Sequence, residues 1–240
     1  MFTEIEYLQD RKAAEIAQLI VSNNPLIITS NYKGIILTQP IRVLSIMPGR
    51  VICQAPESTL CFTLKENIQL YSPELGEIVS ARLLTLNTVM GRLELEDLIF
   101  TGRRWNEHQY DRVQPRDSIC VSGEYKEALI RANLDNLSVG GMSLIVCRDR
   151  EMALDIDRDS DMRLTLQLPG DDAHLEFQGK VVHSRQAGRL AILGIQLMAS
   201  GAQEKRINRY VMARKVEILA ELERTSHEAF EHHWMPGLYY

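Results

Sequence analysis

The sequence predicts a mainly β protein: two small antiparallel β-barrels, one helix leading the first and a second helix following the other. Three observations carry that expectation. From Leu26 to Phe100, and again from Ile119 to Leu197, apolar residues fall in short runs separated by turn signals, which is the pattern of barrels and sandwiches. A polar stretch without periodicity, 101–112, separates the two series. Helical stripes occur only at the ends of the chain. The expected organisation is therefore a first domain over 1–100, a linker over 101–112, a second domain over 113–224 and a loosely held tail over 225–240.

The leading stripe is Ile5, Leu8, Ile16, Leu19 and Ile20, interrupted by Lys12 and stopped by Asn23-Asn24-Pro25. Strands are expected at Leu26–Thr29, Ile35–Leu37, Ile41–Met47, Val51–Cys53, Ile68–Tyr71 and Ile78–Leu86, with Pro48-Gly49 as a tight turn. Arg92-Leu93-Glu94-Leu95-Glu96 alternates strictly, as suits a sheet with one wet face. The second series predicts strands at Ile119–Val121, Ala128–Leu134, Met142–Val146, Met162–Leu168, Leu175–His183 and Leu190–Leu197. From Gln203 to Arg224, Ile207, Tyr210, Val211, Val216, Ile218 and Leu222 supply the apolar positions of a helix rich in Lys and Arg.

Composition narrows the functions. The 240 residues carry 27 Lys+Arg against 32 Asp+Glu, a formal charge of -5. That balance argues against coating duplex nucleic acid, which needs a basic face to displace counterions. It leaves room for a local arginine pocket that holds one small anion. No run of about eighteen apolar residues is present, so no ordinary membrane span is expected. The acidic start, Met1 to Glu6, lacks the basic region of a secretory signal. Cytoplasmic localisation is the expectation. Cys53, Cys61, Cys120 and Cys147 form no Cys-x-x-Cys pair, which points to reduced thiols buried as small apolar side chains.

Two patches have chemistry to offer. Between 103 and 116 lie Arg103, Arg104, Arg112 and Arg116, with no lysine. An arginine fork grips phosphate or a guanine edge in bidentate fashion and stacks on base faces, which lysine does not do. Further along comes Asp135-Asn136-Leu137-Ser138-Val139-Gly140-Gly141, between two expected strands. Paired glycines let backbone amides approach a ligand closely. Ser138 with those amides suits a phosphate, and the Asn136 side chain suits a guanine edge.

These residues resemble the PilZ domain, a bacterial receptor module for cyclic diguanylate. Asn136-x-Ser138-x-x-Gly141 matches its Asp/Asn-x-Ser-x-x-Gly signature, and Leu193-Gly194-Ile195-Gln196-Leu197 looks like its closing strand. The resemblance covers about residues 104 to 200. The preceding barrel with its leading helix is similar in architecture to the partner domain of flagellar-brake PilZ proteins. The family also carries an Arg-x-x-x-Arg signature on the arm entering the barrel. Read literally, Arg112 and Arg116 supply it. With the second arginine leading straight into the barrel, as Arg112-Val113 does, the first position is His108 and departs from the pattern. A neutral imidazole offers one donor and no fork. Arg104 or Arg116 is then the compensating cation.

The resemblance implies a receptor that binds cyclic diguanylate through Arg112, Arg116, Asn136, Ser138, Gly140 and Gly141, with His108 and Arg104 alongside. It implies no catalysis, no metal, and no cofactor beyond the ligand itself. It also implies that the linker becomes ordered on binding, that the two domains reorient, and that a protein such as a flagellar motor or stator component receives the signal at the flagellar basal body, in control of motility or surface behaviour. The alternative is a degenerate PilZ scaffold that binds protein partners without ligand. The sequence does not give the oligomeric state.

Other motifs weigh less. Asp155-x-Asp157-x-Asp159 has Ser160 where a calcium loop needs glycine and Leu166 where it needs glutamate. His227, His232 and His233 have no completing ligand set. Trp105 reads as a plug against a domain. No Gly-x-Ser-x-Gly, Walker loop or His-Glu-x-x-His motif occurs.

Overall fold

A computed structural model describes residue 16 and residues 26–47, 50–54, 67–72, 78–87, 90–101, 110–126, 128–147 and 156–234, apart from the side chains of 187 and 225–234. The chain forms two compact units. One comprises Met1–Tyr32, Ile36–His108 and Leu219–Tyr240, and the other Lys33–Ile35 and Gln109–Ile218.

The first unit holds strands β1 (Leu26–Tyr32), β2 (Ile35–Met47), β3 (Arg50–Gln54), β4 (Asn67–Tyr71), β5 (Ile78–Asn87) and β6 (Arg92–Thr101). They close in the order β1-β2-β3-β6-β5-β4. Closure pairs Ile28 with Leu70 and Thr29 with Gln69, so among the described strands of this barrel no edge is left to recruit another chain. The alternation read at Arg92–Glu96 holds: Leu93 and Leu95 are buried, and Glu94 and Glu96 face outward to Arg50 and Arg82. Beyond Glu96 the phase slips. Ser80 faces Ile99 while Arg82 faces Glu96, and Asp97 takes φ 52. This bulge allows Leu95 and Leu98, three positions apart, both to point inward. Strand β2 is continuous where the sequence suggested two strands. Pro40 sits exposed within it, its fixed φ being compatible with an extended chain. Of the expected leading helix only Ile16 lies among the described residues; it is helical and packs in the core.

The second unit contains β7 (Cys120–Tyr125), β8 (Ala128–Ser138), β9 (Gly141–Cys147), β10 (Asp161–Leu166), β11 (Leu175–Ala187) and β12 (Leu190–Met198). They close as β10-β11-β12-β9-β8-β7, with β7 and β10 pairing Val121 to Leu166 and Gly123 to Leu164. Inward positions on successive strands, among them Leu134, Leu144, Leu164, Phe177, Leu193 and Ile195, fill the barrel.

Helix α1 (Gly201–Trp234) follows. Ser200 caps it: the Gln203 side chain accepts from the Ser200 amide at 2.7 Å, and the Gln203 amide faces the Ser200 hydroxyl at 3.5 Å. That reciprocal arrangement is a capping box. Ile207, Val211, Arg214 and Ile218 form its buried stripe. The helix runs ten residues past the expected end at Arg224 because no helix breaker appears before Pro236-Gly237.

The cysteine expectation needs correction. Cys53 is buried in the first barrel, but Cys120 and Cys147 are exposed. Cys120 occupies an outward position in β7, whose pattern alternates, and Cys147 ends β9. Cys61 lies outside the described residues.

Candidate functional site

The arm entering the second barrel is held by one residue of sheet. Val113, fully buried, donates its amide to the Leu137 carbonyl and accepts from the Leu137 amide, both at 3.0 Å. This antiparallel bridge sets Arg112 across from Ser138 and Gln114 across from Asn136. Neighbouring bonds fix the same stretch. The Gln114 carbonyl accepts from Arg214 Nε at 3.0 Å, its amide donates to the Lys33 carbonyl at 2.9 Å, and Asp111 pairs with Lys215 at 2.6 Å. Arg112 is half-buried and has no ion pair or side-chain hydrogen bond among the described residues. A guanidinium on an anchored backbone, with its donors uncommitted, is prepared to receive an anion or a base edge.

Facing it is the β8–β9 hairpin. Strand β8 continues through the motif to Ser138, so the turn is only Val139-Gly140. A bulge at Asp135, between Leu134 opposite Leu144 and Asn136 opposite Ser143, shifts the side-chain phase there. Asn136 Nδ2 donates to Asp135 Oδ2 at 3.0 Å. Its Oδ1 is buried and has no hydrogen-bond partner among the described residues. Leaving such an acceptor unpaired costs about 1–3 kcal/mol, which an incoming N–H donor would recover.

The remaining motif residues shape the turn. The Ser138 hydroxyl, buried, donates to the Gly141 carbonyl at 2.9 Å. A Cβ on Gly141 would lie 2.6 Å from the Ile195 carbonyl oxygen, so the close passage of β12 requires glycine there. The Gly140 carbonyl accepts from the Leu197 amide at 3.1 Å. A Cβ on Gly140 would meet the Tyr110 ring at 2.6 and 2.7 Å; the ring rests on the turn where the side chain would be.

The structure thus gathers Arg112, Asn136, Ser138, Gly140 and Gly141 around one bridge. Arg116 is exposed and lines a cavity whose walls include neither Arg112 nor Asn136. Arg104, His108 and Trp105 lie outside the described residues. Tyr110, Val113 and Gln114 are the participants that sequence reasoning missed. The adjacent glycines were the available signal, since they announce a close neighbour without naming it. Among the described residues no group of three or more His, Cys, Asp or Glu side chains is placed to hold a metal ion. Asp157 of the calcium-like run instead accepts from Tyr125 at 3.1 Å and Lys126 at 2.9 Å. Lys126, and then Tyr125, hold its carboxyl below the usual value. Among the described residues, no helix is long and apolar enough to cross a membrane.

Arm, bridge and glycine turn fall within a segment, residues 106–213, that matches the PilZ domain; the chain carries a PilZ domain. No curated protein matches the chain. Among solved structures it is similar to YcgR in complex with c-di-GMP from Escherichia coli, at 14% identity and TM-score 0.45 over 88% of this chain and 92% of that one. It is also similar to the K. pneumonia MrkH-c-di-GMP complex, at 12% identity and TM-score 0.44 over 90% and 96% of the two chains. A third is the Bacillus subtilis inhibitor of motility MotI/DgrA, at 12% identity and TM-score 0.40, covering 81% and 97%.

Proposed function

We propose that this chain is a receptor for cyclic diguanylate, binding it between Arg112 on the arm and Asn136 at the end of β8. The observation that carries the reading is the Asn136 Oδ1 acceptor, buried without a partner among the described residues, beside a bridge that sets Arg112 across from Ser138. A guanine edge offers the N–H donors that Oδ1 lacks, and guanine O6 and N7 accept the Arg112 fork. Ser138, Gly140 and Gly141 keep the hairpin shallow enough for the ligand to settle. Arg104 and His108 add contacts to the ligand, and binding alters the arrangement of the two barrels. No bond is made or broken. The output is control of motility or surface behaviour through a protein partner such as a flagellar motor or stator component, with the protein in the cytoplasm and recruited to the basal body.

Calorimetric titration of the full chain with cyclic diguanylate tests the reading. Saturable heat that Arg112→Ala weakens about tenfold to a hundredfold supports it. Absence of heat and of thermal stabilisation contradicts it. His108, in the position that the family fills with arginine, favours a second reading: a scaffold that binds protein partners without ligand. On that reading Arg112→Ala leaves partner binding unchanged.

A further inference from the structure

A cavity of about 360 Å³ lies between the arm, the loop after β10 and helix α1, a size usual for small-ligand sites. All of its walls belong to the second unit. Four guanidiniums line it, from Arg116, Arg206, Arg209 and Arg214. Two are already positioned by protein acceptors. Arg206 bonds Asp171 Oδ2 at 2.9 Å and the Ala173 carbonyl at 2.6 Å. Arg214 bonds Glu217 at 2.9 Å and the Gln114 carbonyl at 3.0 Å. The other two, Arg116 and Arg209, have no ion pair among the described residues, and Asp117 is the one other carboxylate in the lining. Positive charge is therefore in excess, in a concave site that Leu168 and Pro169 also line. Tyr210 adds a hydroxyl. Burial, with the nearby Glu217 and Asp117 carboxylates, keeps its phenol protonated against the opposing pull of Arg214, so it is a donor at neutral pH.

We propose that this cavity is a second ligand site, separate from the one between Arg112 and Asn136, and that it takes a small molecule bearing a phosphoryl or carboxylate group. Paired oxygens on one centre match the guanidinium fork, and the lining supplies two unpaired forks for such a group, Arg116 from the arm and Arg209 from the helix. Tyr210 supplies a third donor. The proposal does not depend on what binds at Arg112.

Thermal unfolding and calorimetry of the full chain at low ionic strength, with inorganic phosphate, guanosine 5′-monophosphate and malonate as probes, test it. At least one probe should give a saturable rise in Tm beyond that of chloride at matched ionic strength. Preference for the nucleotide assigns a phosphoryl group on a small organic molecule, preference for phosphate assigns the bare oxyanion head, and preference for malonate assigns a carboxylate. Arg209→Ala should weaken binding about tenfold, and Arg112→Ala should leave it unchanged. The proposal is overturned if no probe shifts the transition saturably, or if the shift persists in the folded Arg116→Ala/Arg209→Ala variant.

Discussion

Val113 and Leu137 exchange two backbone hydrogen bonds, each of 3.0 Å, and both side chains are fully buried. This single bridge joins the arginine-bearing arm to the strand that carries the Asn136 motif. Removing most of the Leu137 side chain leaves a cavity beneath the bridge. Leu137→Ala is expected to destabilise the protein by about 2–5 kcal/mol, measured by urea unfolding. Hydrogen exchange at the Val113 amide should quicken in the same variant.

The two motif glycines answer differently to a methyl group. At Gly141 the new Cβ meets backbone, the Ile195 carbonyl, which cannot swing aside. Gly141→Ala should cost about 1–3 kcal/mol in unfolding free energy. At Gly140 the obstacle is the Tyr110 ring, which is 44% exposed and free to rotate away. Gly140→Ala should cost under about 1 kcal/mol, and most of that should vanish in a Tyr110→Ala background. A double-mutant cycle measures the coupling.

Arg214 is 4% exposed and serves both the Gln114 carbonyl and Glu217. Arg214→Met keeps the apolar stem and strands that carbonyl. The expected loss is about 2–3 kcal/mol by chemical denaturation. Arg214→Lys should recover only part of it, because a point-like ammonium does not span both acceptors as the fork does.

Burial pushes the Cys53 thiol up to about 12, so almost no thiolate forms near neutrality. Iodoacetamide at pH 8 should therefore label the exposed Cys120 and Cys147 in the folded protein and spare Cys53. Peptide mass mapping reads the result. Labelling of Cys53 should appear only on unfolding.

Much of this architecture was legible in the amino-acid order because it rests on local alternation. Arg92–Glu96 declared an inward leucine face, and the Asn and Gly residues at 136–141 declared a hairpin. What escaped depends on events that alternation does not encode. The Asp135 bulge carries β8 four residues past Leu134 and turns a supposed loop into strand. The start of α1 is set by Ser200-x-x-Gln203, a capping box of polar residues that the apolar stripe does not include. The seat of Tyr110 on Gly140 arises from packing between distant segments, and no spacing in the sequence announces it.

The central claim is that Arg112 and Asn136 hold one guanine together. A double-mutant cycle on the calorimetric affinity for cyclic diguanylate, using Arg112→Ala, Asn136→Ala and the pair, tests it most directly. Each single change should weaken binding about tenfold to a hundredfold, with the double variant losing less than the two losses combined. Wild-type affinity in both single variants, or losses that add without coupling, would contradict it.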